Sequence, residues 1–290
     1  MKLLNLILNN QEWEVNDGEI EKDDYDKVNI VFSFGDTDVI KNKELFFKLK
    51  DIFKNAFIVG CSSSGNILGS QLTNDSVVAT AVIFEKSHVQ IARINFDDND
   101  DLEKLSQNLI NSLPKEDLKH IFLMSDGLLI NGSELVRGIN KVNKLVPVTG
   151  GMAGDGARFG ETYVIANDVP SQRTIVAIGF YGDLSVQSGC FAGWSEFGVE
   201  RVITKSKDNI LYEIDGMPAL DLYKKYLAEY ASDLPNSGLR FPLNIKKDDN
   251  SNEVIRTLLG IDEESKSITF AGDVPEGYKA RLMKPNINEY

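Results

Sequence analysis

Two stretches of the chain match each other in character at one fixed offset. Phe32 and Phe122, Asp36 and Asp126, Leu45 and Leu135, Leu49 and Ile139, Ile52 and Val142, and Gly60 and Gly150 each stand 90 positions apart. The match runs without a gap through an apolar run, a loop, a helical-period segment and a second apolar run ending at glycine. Agreement sustained across a whole unit predicts an internal duplication. Each unit reads as strand, helix, strand: Val28–Phe34, Lys43–Asn55 and Phe57–Val59, then Ile121–Met124, Ser133–Lys144 and Val146–Thr149. Short Val- and Ile-rich runs predict buried strands, and apolar residues at i, i+3, i+4 and i+7 predict helices.

Around these units the spacing predicts further elements. The first ten residues read as a strand and 11–27 as a polar surface loop. Residues 77–96 and 174–191 each read as a β-hairpin, turned at Glu85–Ser87 and at Gly182-Asp183. Asp97–Asp101 reads as a solvated run whose end caps a helix over 102–113, where carboxylates meet unpaired N–H groups. Glu161–Ala166, Val199–Thr204 and Ile210–Ile214 read as strands. Asp215 is expected to cap a helix with Pro218 in its first turn, and Ser267–Ala271 and Tyr278–Met283 close the reading as strands. The fold class expected is α/β (mixed α+β): duplicated β-α-β-hairpin units (about 28–96 and 118–193) forming mixed sheets with helices packed outside. The domains expected are 28–214 and a partial C-terminal domain, 215–290.

Composition excludes several functions. With 44 acidic and 31 basic residues the formal charge is −13, which argues against nucleic acid and anionic lipid as partners. No segment approaches the ~20 apolar residues of a membrane-spanning helix, so no membrane partner is expected. Cys61 and Cys190 are the only cysteines, too few for a disulfide framework, and a reducing cytoplasm is the expected location. They also leave zinc without paired ligands. Gly151, Gly154 and Gly156 have the reverse of dinucleotide-fingerprint spacing, and no Gly-Lys-Ser/Thr exists for a P-loop.

The two glycine-ended strands lead into Cys61-Ser62-Ser63-Ser64-Gly65 and Gly151-Met152-Ala153-Gly154-Asp155-Gly156. Small residues there let another group approach the backbone, and backbone N–H groups can hold an anion. Asp155 could hold an ammonium, so the pair of loops suits a zwitterion such as an amino acid. The alternative is a tight strand crossing where only small residues fit. Trp194, Phe197, Phe159 and Tyr163 are candidates for an aromatic wall, and Arg158 and Arg201 for carboxylate partners. The ligand-contact set is therefore Cys61, Ser62, Ser63, Gly65, Gly151, Met152, Ala153, Gly154, Asp155 and Trp194, and Gly151→Val is expected to abolish binding. A hydrolase using Cys61 or Ser62 is the alternative, but it needs a base, and nothing in the spacing sets His88 or His120 against either. A protein-interaction scaffold using the acidic surface is a third reading.

Phe57-Ile58-Val59-Gly60-Cys61-Ser62, Gly150–Asp155, Gly193-Trp194, Val202–Lys205, Tyr212–Tyr223 and Phe270–Gly277 occur in an order that resembles the FIST sensory domain, with its N-terminal and C-terminal parts. The resemblance covers most of residues 28–284. It implies a soluble bacterial sensor of small ligands, amino acids or their derivatives being the proposed ones. It further implies a possible output partner such as a histidine kinase or a cyclic-dinucleotide enzyme. Some members are haem proteins that sense nitric oxide, and here only His88 and His120 could ligate haem through histidine. FIST proteins usually continue with a helix and a further strand region, so the C-terminal part is expected to be incomplete.

Overall fold

The computed structural model describes residues 1–189 and 193–286. They form two compact units: Met1–Ile130 with Leu135–Ser188, and Asn131–Glu134 with Gly189 onward. Beyond Asn131–Glu134, the chain passes into the second unit at Gly189.

In the first unit the strands are β1 (Lys2–Asn9), β2 (Glu12–Gly18), β3 (Ile30–Gly35), β4 (Phe57–Ser62), β5 (Asn66–Leu68), β6 (Gln71–Thr73), β7 (Val77–Ile83), β8 (Ser87–Asn95), β9 (Leu118–Ser125), β10 (Val148–Met152), β11 (Val164–Ala166) and β12 (Thr174–Gly182). The helices are α1 (Thr37–Ile40), α2 (Lys43–Ile52), α3 (Leu102–Asn111) and α4 (Gly132–Val142). One sheet has the order β11-β4-β3-β7-β1-β2 and the other β10-β9-β12-β8, while β5 and β6 pair separately. In each sheet a helix-linked parallel pair, β3 with β4 or β9 with β10, is flanked by an antiparallel strand, β7 or β12.

The alternation of side chains across a strand sorts the residues of this unit into three apolar layers. Val31, Ala79, Ala81 and Ile58 face outward under Leu45, Phe46 and Leu49 of α2. Ile121, Leu123, Ile175 and Ala177 face outward under Leu109 and Ile110 of α3 and Leu135 and Ile139 of α4. Ile30, Val59, Val82, Val89, Met124, Val176 and Ile178 form an inner layer contributed by both sheets. The helices lie outside, as expected. Asn42 caps α2 by accepting from the Glu44 N–H, and Asp101 caps α3 by accepting from the Lys104 N–H at 2.9 Å.

Both expected hairpins are absent. β7 pairs with β3 and β1, whereas β8 lies in the other sheet beside β12, so the chain crosses between sheets at Phe84–Lys86. After β12 the described residues 183–189 form no strand, and β12 is paired on both sides by β8 and β9. Local alternation reports that a segment is half-buried but not which strand it pairs with. The 11–27 loop is also corrected. β2 pairs with β1 across Asn10-Gln11, whose positive φ values of 48° and 67° suit a tight hairpin turn, and a 3-10 helix follows over Lys22–Lys27.

The second unit contains β13 (Trp194–Lys207), β14 (Ile210–Ile214), β15 (Met217–Pro218), α5 (Ala219–Leu227), β16 (Leu243–Lys246), β17 (Val254–Arg256), β18 (Leu258–Asp262), β19 (Ser267–Phe270) and β20 (Lys279–Pro285). Its sheet runs β17-β16-β20-β13-β14-β19-β18, with β15 on β14. Leu220, Leu222, Tyr223 and Leu227 of α5 pack on Ile203, Leu211, Ile268 and Phe270. Asp215 does not cap α5: its carboxylate accepts from the Val202 N–H at 2.9 Å and from Arg201 at 2.7 Å. Met217 and Pro218 pair with β14 instead, and the helix starts three residues later, at Ala219.

Candidate functional site: a phenylalanine-lined cavity

The inner layer of the first unit is not filled along its length. Phe32 and Phe34 on β3, Phe84 after β7, Phe122 on β9 and Phe180 on β12 all point into it and remain half-exposed. They border a cavity of about 690 Å³. Phe32 meets Phe122 edge-on at 6.0 Å, and Phe84 meets Phe180 at 6.1 Å. These rings come from both sheets and prop the layer open. Aromatic faces left uncovered beside a space of this size suit a small ligand.

His120 and Thr149 supply the polar element of the wall. His120 is 3% exposed, and its Nε2 lies 2.8 Å from Thr149 Oγ1. Its Nδ1 is buried without a hydrogen-bond partner. Burial lowers the His120 pKa from its ordinary 6.5, so the ring is neutral near pH 7. Met1, Glu85, Lys86 and Asp183 stand at the rim and are exposed. Leu184, Ser185, Val186 and Gln187 complete the lining.

The two glycine loops do meet, but they bond to each other. The Gly154 N–H donates to the Ser62 carbonyl at 2.9 Å, and the Ala153 N–H to that of Ser125 at 2.8 Å. A Cβ on Gly154 would stand 2.5 Å from Ser64 Oγ, so this is a close backbone approach. Ser62 is buried, its Oγ accepting from the Tyr163 N–H at 3.0 Å, and Ser63 Oγ donates to Asn66 Oδ1 at 2.7 Å. Gly65 lies beyond, with φ +140°. Met152 ends β10 opposite Ser125, and Gly151 is exposed on that edge strand.

Asp155 is buried and both its oxygens are engaged. Oδ1 accepts from Arg158 Nε at 3.0 Å, and Oδ2 from the N–H groups of Gly160 and Glu161 at 2.9 and 3.1 Å. Burial alone would raise its pKa, but the neighbouring Thr37 hydroxyl together with these donors outweighs that, and the carboxyl sits below the usual range. Arg158 also pairs with Asp36 and Asp38, so it is not held ready for a ligand carboxylate. Asp126, fully buried, accepts from Leu128 N, Leu129 N, Thr162 Oγ1 and Arg173 N. These acidic groups hold loops together.

The other candidates are dispersed. Trp194 and Phe197 belong to the second unit, Phe159 and Tyr163 to the first. Arg201 bonds Asp215 and the Tyr226 hydroxyl. Cys61 is 7% exposed within the inner apolar layer, and burial pushes its thiol pKa up to about 12. Cys190 lies outside the described residues. His88 is exposed on β8 and stacks on Tyr181 at 5.0 Å. Among the described residues no group of three His, Cys, Asp or Glu could hold a metal ion.

Haem is implied for some members of the resembling family, and the residues here do not fit it. His88 is not among the residues lining the cavity. His120 has Nε2 tied to Thr149 and Nδ1 buried. Neither offers an axial nitrogen to a group in the cavity.

The FIST N domain matches residues 29–217 and the FIST C domain residues 219–290. This chain belongs to the FIST family. FIST domains are sensory domains. A relative in Methanocaldococcus jannaschii, an uncharacterised protein, is 22% identical over 272 residues, covering 86% of this chain and 52% of that protein. The chain thus spans about half the length of the relative it matches. A solved cyanuric acid hydrolase is 7% identical, with a TM-score of 0.27 over 79% of this chain and 75% of that one, a likeness too slight to carry an argument. No helix among the described residues is long and apolar enough to cross a membrane.

The sequence carries a faint signal of the phenylalanine cavity. Phe32 and Phe34 alternate on one strand, and Phe122 stands 90 positions from Phe32. Each was read only as core.

Proposed function

We propose that this FIST domain is a sensory module whose small ligand sits in the phenylalanine cavity of the first unit rather than on the glycine loops. The observation that carries this reading is the set of five half-exposed rings around 690 Å³ of space. The Gly154 N–H is taken by the Ser62 carbonyl, and the Asp155 carboxylate by Arg158, Gly160 and Glu161. A sensor also needs a route from ligand to output. Leu184–Gln187 line the cavity a few residues before the chain passes to the second unit at Gly189. The similar strand-helix-strand order in both sheets is what an internal duplication would leave. A hydrolase built on Cys61 is disfavoured by its buried thiol, since the thiolate is the nucleophile.

The test is a thermal-shift screen of amino acids, amines, neutral aromatics and haem. A cavity ligand raises the melting temperature with concentration. Phe34→Trp, which fills the cavity, is expected to remove the shift, and Gly151→Val to leave it intact. Loss of binding in Gly151→Val alone would return the site to the glycine loops.

A further inference from the structure

Resting on the cavity reading above, we infer that the ligand is a neutral, largely aromatic molecule carrying one hydrogen-bond acceptor, which Thr149 recognises. A zwitterion or a carboxylate is the wrong class. The less exposed lining residues are the phenylalanines, Val82, Leu184, His120, Thr149 and Ser87, whose hydroxyl donates to the Asp183 carbonyl, while Ser185, Val186 and Gln187 are exposed. The charged groups in the lining all stand at the solvated rim. The Met1 ammonium pairs with Glu85 at 3.2 Å, their side chains 57% and 62% exposed, and Lys86 and Asp183 are exposed too. A ligand charge carried between the rings would lose its water and find no counter-charge, which is strongly unfavourable.

The polar specificity follows from His120. A neutral imidazole has one N–H and one bare nitrogen, and only Nε2 has a partner. A buried orphan N–H is rarer than a buried orphan acceptor. The proton therefore belongs on Nε2, which donates to Thr149 Oγ1. With His120 as its donor, the Thr149 hydroxyl keeps its own proton free for an acceptor on the ligand. Half-buried Thr149 lines the cavity, and His120 positions that hydroxyl without needing to touch the ligand.

Acetophenone, ethylbenzene and phenylalanine are suitable probes: one ring with a carbonyl, with neither charge nor acceptor, and with both charges. Binding to the full chain is measured by calorimetry and thermal shift. Acetophenone is expected to bind about tenfold more tightly than ethylbenzene, one net hydrogen bond, and on the order of a hundredfold more tightly than phenylalanine. Thr149→Val, nearly isosteric, should erase the preference for acetophenone while ethylbenzene binding stays. His120→Phe should erase the same preference by releasing the hydroxyl's orientation. A preference that survives in Thr149→Val overturns the inference. Phenylalanine binding that Phe34→Trp blocks would overturn the neutral class while leaving the cavity as the sensory site. No binding by any of the three would overturn both.

Discussion

Adjacent glycines on β10 should respond oppositely to the same added methyl. Gly150 has φ +149°, a conformation that L side chains rarely adopt, and a Cβ there would stand 1.9 Å from the Leu123 carbonyl oxygen of β9. That oxygen is backbone within a paired strand, so it cannot swing aside. The strained dihedral costs about 1–3 kcal/mol and the overpacking about 1–3 kcal/mol more. Gly150→Ala should therefore lose roughly 2–6 kcal/mol, a large share of the ~5–15 kcal/mol available to a domain. At ~2–4 °C per kcal/mol for a unit of this size, the melting temperature should fall by roughly 10 °C. At Gly151, by contrast, nothing lies within 4 Å of the position a Cβ would take. Gly151→Ala should stay within about 0.5 kcal/mol of wild type. Urea and thermal unfolding of the two variants side by side decide the matter. Equal effects, or a Gly150→Ala melting point within 2 °C of wild type (roughly the effect of 1 kcal/mol), would refute the close β9–β10 approach.

Two further outcomes follow from buried groups. In a Cys190→Ser background, Cys61 should resist a thiol reagent at pH 8 until the chain is unfolded, because its pKa is pushed up to about 12; labelling of the native protein would restore the nucleophile reading. His120 has a folded pKa below 6.5, so as pH falls the unfolded chain takes the proton first. Its contribution to stability is present above pH 6.5 and is lost as pH drops through the window beneath. The variant His120→Phe should show a shallower loss of melting temperature between pH 7 and pH 5 (the range in which histidine titrates), and identical slopes would contradict the buried neutral ring.

Much of the fold was legible because local rules decide it. Leu45 and Leu49 at helical spacing produced α2, and the runs at 57–59 and 121–124 are strands where they were expected. The first hairpin failed because β7 and β8 pair with strands other than each other, and the second because residues 183–189 form no strand beside β12. The candidate site shows a related limit. Small residues at Cys61–Gly65 and Gly150–Asp155 signal close approach, and the two loops approach each other.

From the residues alone came the apolar periods, the glycine punctuation, the Asp101 cap and the membership implied by ordered motifs. These depend on neighbours a few positions away. Tertiary structure decided which sheet received each strand, and hence that Phe32, Phe34, Phe84, Phe122 and Phe180 face one space. It also decided that Asp155 and Arg158 neutralise each other and that Nδ1 of His120 is left without a partner. A cavity is the volume that packing leaves unfilled. No single segment encodes it, because its walls come from strands of both sheets.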